Sequence, residues 1–163
     1  MWLLWLLIIV IGLFALGAIL GAPYVPTLSK SADDLLDMID LKPGAKIIDL
    51  GSGDGAFALQ AAKRGYHVIG YEINPILVLI ARMRTRKYNK QVKIYLRDFW
   101  RIQLPEVDAI YVFLIERYMQ KLADKFQNEV TTPTLVVSHV FALPGAKPVA
   151  QNKNTFVYKY PHK

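Results

Sequence analysis

The chain has no cysteine among its 163 residues, which excludes disulfides, thiol nucleophiles and thiolate metal sites. Histidine is nearly as scarce. His67, His139 and His162 lie far apart without metal-ligand spacing, so no metal site is expected and each reads as a surface or packing residue. Side-chain charge is absent from residues 2–22, which consist only of Trp, Leu, Ile, Val, Phe, Ala and Gly. No Lys or Arg precedes that run, and it is longer than the roughly 7–15 apolar residues of a signal peptide.

What this run does contain is enough apolar length to cross a bilayer, which takes about 20 residues in a helix. Trp2 and Trp5 stand at one end, where indoles favour the membrane interface. Residues 1–22 are therefore expected to form a single transmembrane anchor. A cleaved leader is the rival, since Leu20-Gly21-Ala22 resembles a cleavage site, but Pro23 follows directly. All side-chain charge lies beyond the run, with a net value of +7. Lys30, Lys42 and Lys46 are the nearest cations, so the positive-inside rule puts the remainder in the cytoplasm as a single-pass membrane protein. The length allows one domain, residues 23–163.

The centre of that domain is Asp49-Leu50-Gly51-Ser52-Gly53-Asp54-Gly55, between an apolar run at 45–48 and a helix-patterned run at 56–63. A strand that stops at a glycine-rich turn and flows into a helix lets a ligand approach the backbone closely. Two nucleotide-type readings are open. Gly51-x-Gly53-x-x-Ala56 with Glu72 downstream satisfies the relaxed dinucleotide fingerprint. Read from Asp49, the same stretch is D-x-G-x-G-x-G, which resembles motif I of class I S-adenosylmethionine-dependent methyltransferases. A carboxylate there suits the ammonium of that cofactor's methionine end.

Strands and helices alternate through the rest of the chain. Ser31 and Asp34 read as a capping box before a helix that buries Leu35, Leu36, Met38 and Ile39. Pro43-Gly44 breaks the chain before the first strand. The helix at 56–63 buries Phe57, Leu59, Ala61 and Ala62 and ends on Lys63-Arg64-Gly65. Further strands are expected at 67–71, 92–96, 107–114, 134–138 and 154–160. Asn74 and Pro75 open a helix whose buried face is Ile76, Leu79, Ile80 and Met83, and another helix covers 118–127. This order implies a Rossmann-like α/β fold, a mostly parallel sheet with helices on both faces.

The ligand then belongs beyond the carboxyl ends of the strands, where Asp49, Glu72, Asp98 and Glu116 all fall. Glu72 is placed to accept both ribose hydroxyls. Asp98 followed by Phe99 and Trp100 suits an adenine, the carboxylate accepting from its amino group and the aromatic covering its ring. The expected cofactor set is Asp49, Gly51, Ser52, Gly53, Gly55, Glu72, Asn74, Asp98 and Phe99, with no metal.

Gly51-Ser52-Gly53-Asp54-Gly55, Ala61-Ala62-Lys63-Arg64-Gly65, Gly70-Tyr71-Glu72-Ile73-Asn74-Pro75 and Asp98-Phe99-Trp100 together resemble the membrane-anchored lysine methyltransferases of mitochondria and their prokaryotic relatives. Those enzymes modify the adenine nucleotide translocase and the c-subunit of ATP synthase. The likeness covers residues 23–114, including the linker Pro23-Tyr24-Val25-Pro26-Thr27. It implies a seven-strand methyltransferase fold, S-adenosyl-L-methionine as cofactor and a protein lysine as methyl acceptor. Glu116 stands where the family's motif after the fourth strand would lie without reproducing it.

For the acceptor end, Glu116 is the expected catalytic residue, with Tyr24 and Thr27 as a lid from the linker. The expected partners are a membrane protein with an accessible lysine and the membrane itself through residues 2–22. The basic group Arg82, Arg84, Arg86, Lys87, Lys90 and Lys93 has only Tyr88 as an interleaved aromatic, so no nucleic-acid partner is expected and a solvated basic face, or contact with anionic lipid, is the reading. The alternatives are a dinucleotide-binding Rossmann module and a catalytically inactive scaffold with the methyltransferase fold.

Overall fold

A computed structural model describes residues 29–161 together with residues 1, 2, 4, 5, 8 and 12. The expected anchor lies largely, and the linker at 23–27 wholly, outside the described residues. Among the described residues no helix is long and apolar enough to cross a membrane.

The elements run α1 (Ser29–Ile39), β1 (Lys46–Leu50), α2 (Ala56–Lys63), β2 (His67–Glu72), α3 (Pro75–Arg84), β3 (Val92–Leu96), β4 (Ala109–Val112), α4 (Met119–Glu129), β5 (Thr134–His139), β6 (Ala150–Gln151) and β7 (Thr155–Tyr160). Seven strands form one sheet in the order β3-β2-β1-β4-β5-β7-β6. The first five in that order are parallel, while β7 and β6 are antiparallel to their neighbours. The two-residue β6 carries too little pattern to read from sequence, and β4 is shorter than the apolar run at 107–114.

Strand alternation divides the core into two layers. Ile47, Val68, Ala109, Tyr111 and Val137 face α1, α2 and α3. Ile48, Leu50, Ile110, Val112 and Val136 face α4, through Met119, Leu122 and Phe126. The register sets Asp49 of β1 beside Gly70 of β2 and Tyr111 of β4.

Local signals explain where the helices stop. After α2, Tyr66 N donates to Ala61 O at 3.1 Å and Gly65 N to Ala62 O at 3.0 Å, the paired bonds of a glycine C-terminal cap, with Gly65 at φ 85°. Asn74 Oδ1 accepts from Ile76 N at 2.9 Å and Leu77 N at 3.4 Å, and Pro75 opens α3 without wasting a donor. α1 begins at Ser29, so Ser31 lies inside the helix and not at its start. In α2 the buried set is Phe57, Ala58, Ala61 and Ala62, with Leu59 only half-buried.

The largest departure from the sequence reading is α3. Its buried residues are Leu77, Val78 and Ala81, and the expected core row Ile76, Leu79, Ile80 and Met83 turns outward. Ala81 meets the glycine loop, where a Cβ on Gly55 would come within 2.9 Å of Ala81 Cβ. That tight approach admits the small residue and leaves the longer side chains outside. Arg82 closes the exposed sheet edge, its Nε and Nη2 donating to Ile94 O at 3.0 and 2.8 Å.

Candidate functional site

Because β1 to β5 are parallel, their carboxyl ends share one rim, and the strand order reverses between β1 and β4. In open α/β sheets the ligand crevice forms at that switch point. The glycine loop folds over it, with Gly51 N and Ser52 N both donating to Tyr71 O, at 2.9 and 3.0 Å. Gly70 makes room for this. A Cβ there would meet Ile94 Cδ1 at 2.6 Å and the Ser52 side chain at 2.9 Å. Asp54 fastens the loop from the other side, pairing with Arg84 of α3 and accepting from Ala56 N at 3.2 Å.

Asp49 is the unusual group in this rim. It is 2% exposed, and its Oδ2 is buried without a hydrogen-bond partner among the described residues, as is the Oγ of Ser52. Burial first, then the neighbouring Glu72 and Asp54 carboxylates, push the Asp49 pKa from 3.8 up to about 8. A buried acid in that state fits a cationic ligand group, which would restore its charge and occupy its free oxygen.

Glu72, at the end of β2, is held by three backbone donors. Its Oε1 accepts from Ile73 N and Asn74 N, each at 2.8 Å, and its Oε2 accepts from Gly53 N at 2.9 Å. A carboxylate offers about four acceptor positions, so Glu72 ties the glycine loop to the start of α3 and keeps room for one ligand hydroxyl. Asn74, buried at 4% exposure, spends its Oδ1 on the α3 cap. Asp98 Oδ1 accepts from Trp100 N at 3.0 Å, which shapes the short turn Phe99–Arg101 and seats the buried Phe99 against Trp100.

Residues 49–150 match the ANTKMT methyltransferase domain, from the buried Asp49 to the first residue of β6. The chain belongs to that methyltransferase family. It is 34% identical to the adenine nucleotide translocase lysine N-methyltransferase of Mus musculus over 150 residues, which covers 90% of this chain and 65% of that protein. It is 30% identical to a protein-lysine N-methyltransferase of Saccharolobus islandicus, over 85% of this chain and 92% of that one. Among solved structures, an RNA methyltransferase of Salinibacter ruber in complex with S-adenosyl-L-homocysteine matches with a TM-score of 0.77 at 27% identity, covering 85% of this chain and 95% of that one. The chain spans 50–65% of the length of the vertebrate relatives it matches. Of the two readings that the glycine loop allows, membership of the ANTKMT methyltransferase family selects the methyltransferase one.

Around this methyltransferase site the sequence also named an acceptor end. Glu116 opens the short turn Glu116–Tyr118 after β4 and is exposed on the same rim. Tyr24 and Thr27 lie outside the described residues. Beside Glu116 is a cluster the sequence reading missed, in which Arg117 lies 4.7 Å over the Tyr118 ring and Lys121 Nζ lies 4.3 Å over Trp100. Trp100 and Tyr118 are 6.0 Å apart between ring centres. The turn after β3 and the turn after β4 are distant in sequence and become neighbours only through the fold. In the basic cluster, Arg82 and Arg84 are spent on Ile94 O and Asp54.

At the end of β5, Ser138 Oγ donates to Phe141 O at 2.6 Å, and burial lowers the His139 pKa. Val140 follows at φ 75°, a conformation that a β-branched residue rarely adopts. Strain of that kind costs about 1–3 kcal/mol. Val140→Gly is expected to raise the unfolding free energy by about 1 kcal/mol after the glycine's extra unfolded-state entropy is deducted. A shift of the urea midpoint at constant m-value measures it.

Proposed function

We propose that the chain is an S-adenosylmethionine-dependent methyltransferase that modifies a lysine side chain of a membrane protein, with its domain on the cytoplasmic side. The observation that carries the cofactor assignment is Asp49, a buried acid with a free oxygen beside a glycine loop, in a chain of this methyltransferase family. Family relatives named as lysine N-methyltransferases support the acceptor class, and the uncharged run at 2–22 supports the membrane setting.

S-adenosylmethionine supplies a methyl group on a sulfonium, open to in-line displacement. The chain's own residues have to bind, align and exclude water. Asp49 takes the cofactor ammonium. Ser52 Oγ and the loop from Gly51 through Gly53 to Gly55 surround the methionine end. Glu72 accepts one ribose hydroxyl, Asp98 takes the adenine amino group, and Phe99 covers the ring. Asn74 acts by holding the start of α3 in place. A lysine attacks only as the neutral amine, and its reference pKa is near 10.4. Glu116 accepts a hydrogen bond from that amine and aims its lone pair, with Tyr24 and Thr27 closing over it.

The test supplies full-length protein with tritiated cofactor and separated membrane and soluble fractions. Label is expected on lysine of an integral membrane protein. Glu116→Ala should cut incorporation by about 10²-fold or more while cofactor affinity stays unchanged, the scale of a lost positioning contact. Label confined to RNA, small molecules or soluble proteins would overturn the acceptor assignment, and full activity in Glu116→Ala would remove that residue from it.

A further inference from the structure

α3 is apolar on two opposite faces, and among the described residues only one of them is packed. Leu77, Val78 and Ala81 enter the core. On the far side Leu79, Ile80 and Met83 are 60%, 38% and 62% exposed, with Ile76 half-buried above them. The spacing of Ile76, Leu79, Ile80 and Met83 is i, i+3, i+4, i+7, which makes a continuous stripe along one side of a helix. Scattered exposed aliphatics need no explanation, whereas an ordered stripe marks an interaction surface.

The surrounding charge identifies the partner. Between Glu72 and Asp98 there is no acidic residue, while Arg82, Arg84, Arg86, Lys87, Lys90, Lys93 and Arg97 all fall there. Two of these are spent internally, as described above. Arg86, Lys87 and Lys90, just past the end of the stripe, are exposed and have no ion-pair partner among the described residues. An aliphatic stripe with free cations beside it is the composition of a helix lying in the interface of an anionic bilayer, its apolar side reaching the acyl boundary and its cations the headgroups.

We propose that the outer face of α3, through Leu79, Ile80 and Met83 with Arg86, Lys87 and Lys90, docks on an anionic membrane surface. This contact is separate from any anchor at 2–22 and holds whatever the methyl acceptor is. Asn74 and Glu72 join the start of α3 to the glycine loop, and the helix is about 15 Å long at 1.5 Å per residue. Docking therefore sets the cofactor site close above the headgroups in a defined orientation.

The absence of cysteine makes the test clean. Full-length M83C and L79C, each carrying an environment-sensitive fluorophore, are reconstituted in phosphatidylcholine vesicles with or without phosphatidylglycerol. K63C, on the exposed end of α2, is the control. At positions 79 and 83 the emission should shift to the blue and be quenched by brominated lipid in the anionic vesicles only, and the control label should stay in water. R86Q, K87Q and K90Q should weaken that burial about fivefold per cation removed. Labels at 79 and 83 that remain in water on anionic vesicles would overturn the proposal. Burial without lipid, or burial that follows protein concentration, would overturn it in favour of a protein occupant. Loss of the thermal transition in one labelled variant leaves the other to decide.

Discussion

Asp49→Asn is expected to lose cofactor affinity by about 3–5 kcal/mol, the cost of removing one partner from a buried charge pair, and at the same time to stabilise the ligand-free chain at pH 8. The two effects have opposite signs because the native site is built for the complex. Free of ligand, the Asp49 carboxyl has a pKa of about 8 against 3.8 for the unperturbed group, so folding favours its protonated form. The stability this contributes is complete below about pH 4 and is lost progressively as the pH rises to about 8. Asparagine, which never ionises, escapes that loss, and a gain of about 1–2 kcal/mol at pH 8 is typical when a strained functional group is neutralised.

Binding has its own pH signature. An incoming ammonium requires ionised Asp49, so below pH 8 each binding event releases a proton. Affinity should rise roughly tenfold per pH unit up to that point. Calorimetry in two buffers of different ionisation enthalpy, with the cofactor product S-adenosylhomocysteine as ligand, reads the proton directly. A pH-independent affinity in the native chain, or an unchanged one in Asp49→Asn, would remove Asp49 from the site.

Glu72→Ala comes second in expected size. Considered as a ribose ligand alone, Glu72 would cost about 1.5–3 kcal/mol of affinity, the scale of a hydrogen bond to a charged group. The structure adds a second loss, since Gly53 N, Ile73 N and Asn74 N all donate to it. Without the carboxylate the glycine loop is no longer tied to α3, so affinity and thermal stability should fall together. Glu72→Gln separates the roles. Its one carbonyl oxygen can serve either Ile73 and Asn74 or Gly53, and its amide nitrogen would face a donor at the other place. A ribose-only role predicts that Gln largely rescues Ala, whereas the brace predicts that it does not. Thermal melts with and without S-adenosylhomocysteine distinguish them.

Much of this is legible in the sequence. The alternation of apolar runs with helical periodicity located β1 to β5 and β7, because a central strand such as β4, buried on both faces, has to be apolar throughout, while the edge strand β3 still keeps Val92 and Ile94 for its buried face. Gly51, Gly53 and Gly55 marked the turn, and all three hold positive φ. Local chemistry also foretold the Asn74-Pro75 start of α3 and the Gly65 end of α2, since caps depend on residues a few positions apart. The family resemblance rested on those same short motifs, and the match over residues 49–150 bears it out.

What the sequence determined by itself is therefore what near neighbours in the chain decide: the βα order, the glycine turn, the caps, and an acid at the end of each of several strands. Tertiary structure decided the rest. Helical periodicity finds the row Ile76, Leu79, Ile80 and Met83 but cannot say which of two apolar faces is inside. The closeness of Gly55 to Ala81 settled it, a contact between residues that only folding brings together. The cluster of Trp100, Tyr118 and Lys121 arises the same way, from turns that meet across the rim. Asp49 is the clearest case. Its position was visible in the motif, but its charge state depends on burial and on Glu72, and an electrostatic energy is fixed by distance and dielectric in space, not by position along the chain.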